Sequence, residues 1–71
     1  MDKKKALKYY KMAGEQGHAE AQYFCGLMYI TGKGAERDDE EAQRYWELAA
    51  AQGHQGAQNN LATIRGANAR R

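Results

Sequence analysis

Apolar and polar positions along this chain alternate with helical spacing in four blocks. Between Asp39 and Gln52, Ala42, Tyr45, Trp46, Ala49 and Ala50 recur at i, i+3, i+4, i+7 and i+8, which makes one apolar stripe on an otherwise polar helix. Asp38 can accept hydrogen bonds from the free amides of the first turn, and Glu41 three residues on completes a capping box. Gly53 ends the helix, because glycine takes up the left-handed conformation needed there. Residues 2–16 repeat the arrangement, with Ala6, Tyr9, Tyr10 and Ala13 expected inward and Gly17 as the stop. Here the box is incomplete, since Lys5 stands where Glu41 stands in the other block.

A second kind of helix is expected over residues 19–31 and 55–65. Ala21, Cys25 and Met28 in the first match Ala57, Leu61 and Ile64 in the second, at i, i+4 and i+7. A loop from Gly32 to Arg37 holds two glycines, and residues 66–71 are expected to trail off as a tail. Both kinds of helix obey one offset of 36 residues. Identities fall at Asp2/Asp38, Ala6/Ala42, Tyr9/Tyr45, Ala13/Ala49, Gln16/Gln52, Gly17/Gly53, His18/His54, Ala21/Ala57 and Gln22/Gln58. Self-similarity at a fixed period signals repeat architecture. The expected fold is therefore all-α: four antiparallel helices in helix–turn–helix repeats, in one domain over residues 1–71.

Composition agrees. Valine and proline are absent, and alanine, glutamate, lysine and glutamine are plentiful, which favours helix over strand. A formal net charge of +2 with interspersed signs argues against a nucleic-acid module driven by phosphate neutralisation. Lys3, Lys4, Lys5, Lys8 and Lys11 form the one local excess. It reads first as a solvated helix face and second as a surface for an acidic partner or anionic lipid. No run of about 18 apolar residues exists, so no membrane span is expected. No apolar stretch follows the basic N-terminus, as a signal peptide would require. One cysteine forms no internal disulfide and suits a reducing compartment, which puts the cytoplasm first.

The candidates for chemistry are better read as structure. His18 and His54 each follow a helix-ending glycine, and equivalent helices of packed repeats lie about 10 Å or more apart. Zinc needs ligands at roughly 2.0–2.3 Å, so a turn and packing role is favoured. Cys25 sits on an apolar stripe as a small hydrophobe. The acids Asp38, Asp39, Glu40 and Glu41 suit a helix N-terminus. The Gly32–Gly34 pair follows no strand, as a nucleotide loop would, and no serine is present for a hydrolase triad. No enzyme activity and no cofactor are expected.

The stretch EQGHAEAQ, the small Gly26, the pair Met28–Tyr29 and the run GKGAERD leading to Ala42 resemble the Sel1-like repeat, a branch of the tetratricopeptide superfamily. The resemblance covers residues 2 to about 65 and implies a short right-handed α-solenoid that serves as a scaffold or adaptor. Departures include Phe24 for the family's asparagine (kept at Asn60), Cys25 for its leucine (kept at Leu61), and Ala35 for a common valine. Thr63 and Arg65 replace apolar or aromatic positions, as at a solenoid's polar end. On this reading the C-terminus is a true end and the lysine-rich first helix an N-terminal cap.

The resemblance also implies that the second type of helix lines a groove. Tyr23, Leu27 and Ile30, at i, i+4 and i+7, would either face it or pack against a neighbouring helix. Asn59 and Thr63 would form its polar far side, with Glu20 at its flank. The implied partner is a protein or peptide. The alternative is a structural piece or cap of a longer array with no ligand of its own. About three repeats are usually needed to close such a core. With two copies of each helix, the chain is expected either to self-associate through its first helix or to be a marginally stable monomer.

Overall fold

The computed structural model describes residues 2–69, and the side chains of residues 2–66. It is all-α. Helix α1 spans Lys3–Glu15, α2 Ala19–Thr31, α3 Asp39–Ala51 and α4 Gln55–Ala69. Each helix packs against its neighbour in the chain, so α2 and α3 are flanked on two sides and α1 on one. Helix α4 runs beyond the expected end at residue 65 and absorbs most of the expected tail. With no proline to break it, a glycine such as Gly66 costs only about 1 kcal/mol inside a helix. Residues 70–71 of that tail lie outside the described residues.

Asp2 Oδ1 accepts from the Lys4 amide at 2.9 Å, and Asp38 Oδ1 accepts from the Glu41 amide at 3.1 Å. The reciprocal half of the expected capping box is missing. The Asp38 amide instead donates to the Tyr29 carbonyl at 3.0 Å, which ties the loop to α2. Glu41 is then free to pair with Arg44 at 3.0 Å. Helices α1 and α3 end alike. Gly17 (φ 93°) and Gly53 (φ 88°) follow them, and the His18 and His54 amides reach back to the Ala13 and Ala49 carbonyls at 3.3 and 3.1 Å. This doubled turn caps the free carbonyls and reverses the chain within three residues.

The core has two parts. Ala42, Trp46, Ala49, Ala57 and Leu61 form one, and Leu7, Cys25 and Tyr45 the other. The α3 stripe is buried as its periodicity predicts. The matching stripe of α1 is only half-buried, and Tyr9 is 68% exposed whereas Tyr45 is 3% exposed. Tyr45 stacks on Tyr29 of α2, and Tyr9 has no helix on the corresponding side. Leu7 takes the inward position on α1 instead, reaching Cys25 and Tyr45.

Candidate functional site

The joint between the two repeats is held by polar as well as apolar contacts. Gln22, 4% exposed, donates through Nε2 to the Gly14 carbonyl at 2.9 Å and accepts from Gln52 Nε2 at 3.1 Å. Its repeat counterpart Gln58 likewise donates to the Ala50 carbonyl, at 3.1 Å. This role was not foreseen from the sequence, although the Gln22/Gln58 identity was its signal. Trp46 Nε1 donates to the Tyr23 carbonyl at 3.1 Å. His54 Nδ1 accepts from the Ala57 amide at 3.1 Å and so caps α4, while His18 makes no such bond.

Tyr23, Leu27 and Ile30 are half-buried and pack against the Ala42–Leu61 cluster of the second repeat. Tyr23 stacks on the His54 ring with centroids 4.6 Å apart. Glu20, Asn59 and Thr63 are exposed. Asn59 Oδ1 accepts from Gln55 at 3.3 Å, and Thr63 donates to the Asn59 carbonyl at 3.0 Å, so both bond within their own helix. The expected strip thus packs as a seam between the repeats.

A second surface lies at α1. An open cleft of about 410 Å³ between α1 and α2 is walled by Tyr9, Tyr10, Ala13, His18 and Phe24, with Met12 and Glu20 at its mouth. Tyr10 and Phe24 stack at 5.2 Å, and Tyr9 meets Tyr10 edge-on at 5.7 Å. Periodicity places Tyr9 and Tyr10 in the core; Tyr10 does pack against the Leu7–Tyr45 cluster, but Tyr9 lies open, so this surface is missed.

Two charged contacts mark equivalent places in the repeats. Lys11 Nζ lies 6.0 Å from the Tyr29 ring centroid, and its interaction with Tyr29 holds its ammonium above the usual lysine range. At the matching positions, Arg65 bridges Glu47 at 2.9 Å. Arg65 therefore replaces the repeat's tyrosine together with a change of partner. The Cys25 thiol is fully buried, and burial pushes it up to about 11, so it stays a thiol at neutral pH. Among the described residues no three His, Cys, Asp or Glu side chains converge as a metal site requires, and no helix is long and apolar enough to cross a membrane.

Paired helices at a fixed offset, joined by a buried seam, define a helical-repeat protein. The Sel1 repeat model matches residues 2–18 and 19–54, and the chain belongs to that family. The longer match is one complete unit, made of α2, the loop and α3. No curated protein matches the chain. Repeats of this family generally mediate protein–protein interactions, and proteins that carry them are typically scaffolds rather than enzymes.

Proposed function

We propose that the chain is an interaction module that binds an amphipathic protein segment along the α2–α4 seam, with Glu20, Tyr23, Leu27, Ile30, Asn59 and Thr63 as contacts. One observation carries this reading. Three large apolar side chains on α2 stay only half-buried where they pack against the cluster formed by α3 and α4, while Asn59 and Thr63 of α4 are exposed. Leu27 would be the central anchor, Tyr23 and Ile30 the floor, and the Asn59 and Thr63 rim the polar margin. Burying one leucine or tyrosine stabilises a complex by roughly 1.5–3 kcal/mol, so a few anchors support micromolar binding.

The test uses peptides selected for binding from a displayed random library. Leu27→Ala and Thr63→Lys should each weaken the best peptide tenfold or more while circular dichroism shows the fold intact, since 1.4 kcal/mol is tenfold. Thr63 is exposed, so its replacement reports on the rim without touching the core. Unchanged affinity in both variants removes the seam as the binding surface.

A further inference from the structure

We propose that the open face of α1 docks a helix of another polypeptide, one that inserts an aromatic side chain into the α1–α2 cleft and places carboxylates against Lys5 and Lys8. The chain itself contains the occupied version of this face. Shifted by one repeat, the cleft walls Tyr9, Tyr10, Ala13 and His18 become Tyr45, Trp46, Ala49 and His54. There the space is filled by Tyr23 of α2, which stacks on His54, lies against Gly56 and packs on the Trp46–Ala49–Ala57 cluster. Among the described residues nothing plugs the same socket in the first repeat. Its lining is more aromatic, with Phe24 in place of Asn60, and its mouth carries Glu20 in place of Gly56.

Charge selects the occupant further. In the second repeat Glu41 and Arg44 neutralise each other at 3.0 Å. The matching residues of α1 are Lys5 and Lys8, both exposed, and neither is in a salt bridge among the described residues. Lys5 borders Tyr9 and Tyr10 and Lys8 follows one turn on, so acidic residues on the flank of a helix seated beside Tyr9 would answer them. A second copy of this chain answers neither demand. Its α4 carries Asn59 where α2 carries the plug Tyr23, and it brings the cation Arg65 where α2 has Tyr29. The fitting helix has an aromatic residue, a glycine or alanine three positions later opposite Tyr10 (as Tyr23 and Gly26 are set against Trp46), and Asp or Glu on one flank.

The probe is a stapled helical peptide with that Tyr-x-x-Gly spacing and two glutamates on one flank, followed by fluorescence anisotropy. Saturable binding is expected. It should weaken at least tenfold when the peptide's tyrosine becomes alanine, and likewise with Tyr9→Ala in the chain, whose exposed ring can be removed without unfolding. A Lys5→Glu, Lys8→Glu variant should bind more weakly and lose most of the salt dependence. Thr63→Lys should leave this binding unchanged, which separates it from the α2–α4 seam. Absence of saturable binding, or indifference to both tyrosine changes, overturns the proposal. So do concentration-dependent oligomers of the unmodified chain that disappear with Ala62→Arg, at the α4 position that matches Gly26 of α2, because they would make a second copy the occupant.

Discussion

Trp46 occupies the space that any side chain at position 26 would need. A β-carbon built on Gly26 falls well inside van der Waals contact with the indole Nε1, and that same nitrogen donates to the Tyr23 carbonyl at 3.1 Å. The absence of a side chain thus lets an aromatic ring lie flush on α2 and reach its backbone.

Gly26→Ala should destabilise the chain by about 1–3 kcal/mol. Overpacking typically costs 1–3 kcal/mol and loss of the indole bond about 1, against a helix-propensity gain of about 1. For a domain of this size each kcal/mol shifts the melting temperature by roughly 4–8 °C. A thermal melt that rises on this substitution would show that the indole does not close over residue 26.

Cys25 should react with thiol reagents only when the chain unfolds. It is fully buried, and burial holds its thiol near 11, far from the reactive thiolate at neutral pH. Labelling followed by mass spectrometry should be slow in buffer and fast in urea, and its rate in buffer reports the opening equilibrium. Fast labelling in buffer would place the cysteine outside the core.

Much of this fold is legible in the chain because the repeat states its contacts twice. The α3 stripe, the helix-ending glycines and the Asp38 cap all follow from spacing and residue type. Periodicity reports which face of a helix is apolar, but not whether a neighbour is present to cover it. Periodicity therefore assigns Tyr9 to the core through Tyr45 and gives no sign of the cleft beside it. Leu7 was overlooked for the converse reason, since Gln43 stands at its repeat position and lysines precede it. The Tyr23–Leu27–Ile30 face was visible as apolar, yet its packing against the second repeat depends on how two hairpins meet.

The two histidines should differ despite their identical settings in the sequence. His54→Ala removes the bond to the Ala57 amide and the stack on Tyr23, and should cost about 1–2 kcal/mol, in the range of a lost helix cap. His18→Ala removes neither and should lie within about 0.5 kcal/mol of the parent. Urea titrations of both variants decide the point, and equal costs would contradict the asymmetry.

Lys5→Glu should stabilise the free chain while weakening the docking proposed at α1. No acid stands in the first turn of α1, and three lysines crowd its positive end. A glutamate there favours the helix dipole and can pair with Lys8 as Glu41 pairs with Arg44, together worth about 0.5–1 kcal/mol at low salt. The melting temperature should rise in dilute buffer, and the gain should shrink as salt is added. A fall in stability would mean that Lys5 already has a favourable partner.

The single amide of Gln22 serves both hairpins at once, through Gly14 in its own and Gln52 in the next. Parting the hairpins breaks the bond to Gln52, worth about 0.5–1.5 kcal/mol, and opens the apolar seam to water. Leu7, Cys25 and Tyr45 pack as one cluster across the same joint. The two repeats are therefore one cooperative element: in hydrogen exchange, the slowest amides of α2 and α3 should open together, with a common free energy, and neither hairpin should survive as a folded remnant of the other.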